Sequence, residues 1–119
     1  MLKIMVANKV GALAVTNPSG DVVGIVSERD YLSKVAFLGK TSDTTTVREI
    51  SVYGYDNLVT VTAANPIERC MEKLLGRDVR HLLIREKDDP TNITGMISIK
   101  VRERGSEAKR AEGRTLVFL

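Results

Sequence analysis

Apolar positions along this chain fall into two similar series. The segment VGALAVTNPSGDVVGIVSERD (10–30) holds an apolar run, a turn rich in Pro, Gly, Asn and Asp, and a second apolar run. The segment VRHLLIREKDDPTNITGMISIKV (79–101) repeats that order with a longer turn. Val-x-x-Leu opens both copies, and Gly24-Ile-Val-Ser27 aligns with Gly95-Met-Ile-Ser98. Upstream, LKIMVANKV (2–10) matches MEKLLGRDV (71–79), each spaced like the last turns of an amphipathic helix.

Each unit therefore reads helix, strand, turn, strand, helix. The stretches NPSGD (17–21) and KDDPTN (87–92) carry the residues that tight reversals need. In the second unit a further strand, LVTVT (58–62), comes first. Its helix is predicted from Pro66 to about Leu75, with Asn65 as N-cap, Glu68 bonding back and Gly76 as terminator. By the repeat offset, the matching strand and half-helix of the first unit would fall before Met1, so that unit is expected to be truncated. GKTSDTTT (39–46) reads as a linker and VREIS (47–51) as a short helical turn before the second unit. The expected organisation is a first motif with its linker over 1–46, a second over 47–101, and a charged C-terminal extension over 102–119. The expected class is α/β (α+β), with small sheets flanked by helices.

Composition narrows the function. The chain has 119 residues, enough for a compact domain with a core, and 43% of them are hydrophobic, which argues against disorder. A net charge of +3 suits an anionic small ligand. Three Tyr, two Phe and no Trp, without basic–aromatic interleaving, do not make a base-stacking surface, so no nucleic acid is expected. The one cysteine, Cys70, excludes an intrachain disulfide and a cysteine-rich zinc site, and makes a reducing compartment the default. It reads as a core residue. No apolar run reaches membrane-spanning length, so no membrane partner is expected. GKTSD (39–43) echoes a phosphate loop but lacks the upstream glycine and strand. With one histidine and no nucleophile–base–orienter set, the chain is not expected to be an enzyme or to hold a metal.

Two clusters carry chemistry. In GIVSERD (24–30) a strand ends and a helix starts, and Ser27-x-x-Asp30 has the spacing of a capping box. A carboxylate at such a junction can also accept the two hydroxyls of a ribose diol, with Ser27 adding a third bond. The second cluster is Arg80-His81, a charged pair at the head of an apolar strand. Read alone, it is an ordinary strand end. The repeat sets it opposite Gly11-Ala12, at a place where it can be half of an anion pocket.

The motifs at 24–30, 10–16 (VGALAVT) and 79–84 (VRHLLI) resemble those of tandem cystathionine-β-synthase-type (CBS) motifs, a Bateman module, over about residues 1–100. The likeness includes stand-alone CBS-pair proteins of plants. It implies two pseudo-twofold-related β-α-β-β-α units and two clefts for adenosine ligands: AMP, ADP, ATP, S-adenosylmethionine or NAD(H). Carried over, Ser27 and Asp30 would hold ribose, and Leu58, Val59 and Thr60 would line adenine, largely through backbone groups. Val79 would pack on the base or sugar, and Arg80 and His81 would meet phosphate. Arg29 is a further candidate on the first helical turn. The second cleft would keep Val10, Gly11, Ala12 and Ser98 but has Val101 where the pattern has Asp, so one occupied site is expected. AMP or ATP is the favoured regulatory ligand, with no other cofactor. A homodimer through the helices is implied, and a regulated partner enzyme such as a thioredoxin. The alternative is a ligand-free scaffold for protein–protein interaction or dimerisation.

Overall fold

The paired apolar runs form two antiparallel hairpins, one in each of two compact units. The computed structural model describes residues 1–98, with one unit spanning Met1–Leu58 and the other beginning at Val59. The first unit contains α1 (Leu2–Asn8), β1 (Ala12–Thr16), β2 (Val22–Ser27) and α2 (Glu28–Tyr31). A π-type turn over Leu32–Ala36 follows, then α3 (Val47–Ile50) and β3 (Val52–Tyr53). Its sheet runs in the order β1-β2-β3. The second unit contains β4 (Thr60–Thr62), α4 (Ile67–Gly76), β5 (His81–Arg85) and β6 (Ile93–Ser98), in sheet order β4-β5-β6. Strand β4 pairs parallel to β5, which needs a crossover, and α4 supplies it.

The repeat holds at the level of single residues. Ala12 pairs with Ser27 as His81 pairs with Ser98, and Val15 faces Gly24 as Ile84 faces Gly95. Each hairpin then slips by a bulge at the next step, to Thr16–Val22 and Arg85–Ile93. The entries to the hairpins match as well. Lys9 (φ 53°) and Asp78 (φ 49°) both turn left-handed after their helices. The Val10 N–H then donates to the Met5 carbonyl at 3.0 Å, and the Val79 N–H to that of Leu74 at 3.2 Å. These bonds close the last turns of the two helices, the Met5 carbonyl also accepting from the Lys9 N–H.

The first core gathers Met5, Leu13, Val26, Val35 and Ile50; the second gathers Val61, Cys70, Leu74 and Leu82. Leu13 and Leu82 are both fully buried, each worth about 2 kcal/mol of transfer energy.

Three details differ from the sequence reading. Helix α4 starts at Ile67 with Pro66 as its N-cap. Asn65 instead faces backward, its Oδ1 accepting from the Thr62 N–H at 2.8 Å and the Thr62 hydroxyl at 3.2 Å. The side chain thus closes the turn after β4, a local use of Asn that competes with capping. The second follows the expected short helical turn: it forms as α3, capped by a Thr46–Glu49 box, buries Ile50 in the first core and leads into β3, a strand the sequence reading lacked. Strand β3 pairs with β2, at Gly24–Tyr53 and Ile25–Val52. The third is β4, which is shorter than the apolar run 58–62. The expected extension over 102–119 lies outside the described residues, as does Val101.

Candidate functional site

Strand β2 delivers Ser27 in an extended conformation (φ −121°, ψ 164°), and α2 begins at the next residue. The Ser27 Oγ accepts from the Asp30 N–H at 3.2 Å. In return Asp30 Oδ2 accepts from the Ser27 N–H and the Ser27 hydroxyl, each at 2.9 Å. The capping box is therefore formed in full. It is also more than a cap. The other carboxylate oxygen, Oδ1, accepts from Lys34 Nζ at 2.8 Å, and the same ammonium donates to the Ile50 carbonyl at 2.6 Å. The Asp30 side chain keeps only 19% of its surface exposed.

That environment sets the charge of Asp30. Burial pushes its pKa up, but the Lys34 and Ser27 hydrogen bonds, with the positive charge of Lys34, together outweigh burial and hold it below the ordinary value. A half-buried, ionised carboxylate thus stands at the end of a central strand. Arg29, one residue before it, is exposed. Lys34 was missed in the sequence, although its i,i+4 spacing from Asp30 was a usable signal.

Beside this junction lies the head of β1. The Glu28 N–H donates to the Gly11 carbonyl at 2.9 Å. A methyl group on Gly11 would meet Glu28 Oε1 at 3.3 Å, so the Glu28 carboxylate lies over this glycine. Val10 and Gly11 are half-buried and Ala12 is buried. The residues named for the second cleft in this unit therefore carry an acidic neighbour. Ser98 sits on β6 across from His81.

In the second unit β4 and β5 run side by side, with Thr60 opposite Leu83. The Val59 carbonyl accepts from the Leu83 N–H at 3.1 Å, and the Thr60 carbonyl from Lys73 Nζ at 2.7 Å. Each of those backbone acceptors already has one donor. Leu58 is buried at the end of the first unit and donates its N–H to Tyr55 at 3.2 Å. The head of β5 presents Val79 and His81 half-buried and Arg80 exposed. The structure thus groups the candidates into two sets: Ser27, Arg29 and Asp30 at the β2–α2 junction, and Val59, Thr60, Val79, Arg80 and His81 around the heads of two parallel strands.

Known proteins share this architecture. A CBS-domain-containing protein of Agrobacterium tumefaciens superposes with a TM-score of 0.70 at 30% identity, covering 82% of this chain and 72% of that one. The chain belongs to the CBS-domain family. The family model described as CBS domain matches residues 1–36. The mitochondrial CBS domain-containing protein CBSX3 of Arabidopsis thaliana is 35% identical over 101 residues, 82% of this chain. The chain spans about half (47%) of that protein's length. A CBS domain protein of Pyrobaculum aerophilum, solved in complex with AMP, superposes with a TM-score of 0.69 at 23% identity, over 82% of this chain and 70% of its own. At that identity the likeness is one of fold. The α+β CBS-pair fold and the family implied by the sequence motifs both stand.

Proposed function

We propose that this CBS pair is a regulatory module that binds an adenosine phosphate, with AMP or ATP favoured over ADP and NAD(H). Ser27 and Asp30 take the ribose hydroxyls, and Leu58, Val59 and Thr60 line the adenine. Val79 packs against the base or sugar, and Arg80 and His81 hold phosphate. Arg29, exposed on α2, is a second cation for a longer phosphate chain. The observation that carries the reading is Asp30, an ionised carboxylate kept partly exposed at a strand–helix junction. Arg80 supports it, being exposed and without a hydrogen bond or ion pair among the described residues. The AMP complex of the Pyrobaculum protein shows that this fold admits such a ligand.

The head of β1, with Val10, Gly11, Ala12 and the Glu28 carboxylate, repels phosphate, so one nucleotide binds per chain, and Ser98 does not restore the second cleft. No residue is assigned a catalytic role: the module acts by shifting the state of a homodimer or of a partner enzyme such as a thioredoxin. It can do so only as far as the ligand prefers one state. Val6 and Leu75, equivalent in the repeat and each 78% exposed, are apolar contacts for pairing through the helices.

One observation favours a ligand-free scaffold instead: Asp30 is already satisfied by Ser27 and Lys34. Calorimetry with AMP, ATP, NADH and S-adenosylmethionine separates the two. The nucleotide reading expects heat that Asp30→Ala abolishes and that Arg80→Ala reduces for the phosphorylated ligands while sparing S-adenosylmethionine. A folded protein giving no heat with any of them leaves the scaffold.

A further inference from the structure

We propose that Lys34 is the group a ribose diol displaces from Asp30, and that its release loosens α3; the inference rests on the nucleotide reading above. An ionised carboxylate offers about four lone-pair sites. On Asp30, Oδ2 carries the Ser27 N–H and the Ser27 hydroxyl, and Oδ1 carries Lys34 Nζ. One site remains on Oδ1, whereas a cis diol brings two donors. One partner has to leave.

The Ser27 bonds are the harder to break. The hydroxyl both donates to Oδ2 and accepts from the Asp30 N–H, and the Ser27 N–H completes the capping box, so losing either opens the start of α2. The Lys34 side chain is 43% exposed, and water readily solvates an ammonium released there. Lys34 is therefore the partner that yields.

Its second bond gives the release a consequence. Nζ also holds the carbonyl of Ile50, the last residue of α3. Helix α3 has four residues. Its first turn is fixed by the Thr46–Glu49 box, and its last residue is tied through Lys34 to Asp30. Strand β3 follows after one residue and pairs with β2. A ligand on Asp30 thus removes one of the two anchors of the ammonium that clamps the α3–β3 junction. Lys34 is a positioning residue and needs no contact with the ligand itself.

The test combines calorimetry with hydrogen exchange on the full chain, with AMP as probe. In the wild type, saturating AMP should speed exchange of the Ser51 N–H, which donates to Val47, and of the Gly54 N–H, which donates to Val23. Lys34→Met keeps the aliphatic stem and removes the competitor. It should tighten AMP binding by about two- to fivefold, the worth of a partly exposed ion pair, and abolish the AMP-dependent change in exchange. Lys34→Arg should restore both behaviours. A purely structural lysine would lower the melting temperature and leave the response of 51–54 to AMP intact, which overturns the proposal. Unchanged or weaker AMP binding by Lys34→Met also overturns it, with the nucleotide reading left standing. A wild type that gives no heat with AMP removes both.

Discussion

The two hairpins share register, bulge position and buried leucine, yet differ at their heads. One begins Gly11-Ala12 and the other Arg80-His81, at equivalent places. The difference separates folding from function. Gly-Ala suffices to start the first hairpin, so the geometry does not require Arg or His to start the second. The edges differ too: β5 lies between β4 and β6, whereas β1 ends its sheet among the described residues. In the first unit the third strand is β3, placed against β2.

If the hairpins are energetically as well as geometrically equivalent, their fully buried leucines should weigh the same. Leu13→Ala and Leu82→Ala should each cost about 3 kcal/mol in urea denaturation. A gap larger than about 1 kcal/mol between them would show that the shared register hides unequal cores.

The glycines at equivalent points should behave differently, because their surroundings do. A methyl group on Gly24 would sit 2.7 Å from the Val52 carbonyl oxygen, a backbone atom held by β3 pairing. On Gly95 it would meet the end of Ile84 at 3.1 Å, where a side chain can turn aside. Gly24→Ala should therefore cost about 2 kcal/mol and detach β3, while Gly95→Ala stays within about 1 kcal/mol of wild type, helped by the lower chain entropy of alanine. Thermal melts of the two variants, with exchange at Gly54 for the first, read this directly. Equal losses would mean that β3 does not constrain β2.

The same pair shows what was legible in the sequence. The repeat was visible because both hairpins and both preceding helices follow local apolar periodicity. The Ser27–Asp30 box was legible because caps are set by residues three apart. The pairing of Val52 and Tyr53 with β2 was not, since it rests on backbone bonds to residues almost thirty positions earlier, which no local pattern records. Asn65 was misassigned because one side chain had two local backbones within reach, the turn behind it and the helix ahead, and the turn won. Lys34 reads as one more surface charge until the fold brings the Ile50 carbonyl within 2.6 Å of it. The site candidates at the head of β5 came from the family resemblance, and the repeat marked Arg80-His81 by setting a charged pair where the first hairpin has Gly11-Ala12.

Acid should distinguish the units by the smallest margin. The first holds Asp30, half-buried and bonded to Lys34 and Ser27; the second holds Asp89, exposed in the β5–β6 turn and bonded to the Thr91 hydroxyl and N–H. Both carboxyls lie below their ordinary values in the folded chain: at Asp89 the Thr91 bonds are the main cause, and at Asp30 the bonds outweigh an opposing burial. A depressed folded pKa means that the unfolded chain binds the proton more readily. The stabilisation is then complete above the unfolded value, about 3.9, and is lost as pH falls through the folded one. Melting temperatures taken from pH 7 downward should therefore begin to drop near pH 4 to 5. Asp30→Asn should cost about 1 kcal/mol at pH 7 through the weakened cap and lost ion pair, and should flatten that drop. Asp89→Asn should leave both the neutral-pH stability and the slope close to wild type, because water screens an exposed turn. A slope that follows Asp89 instead of Asp30 would place the acid sensitivity in the second hairpin and remove the special standing of the β2–α2 junction.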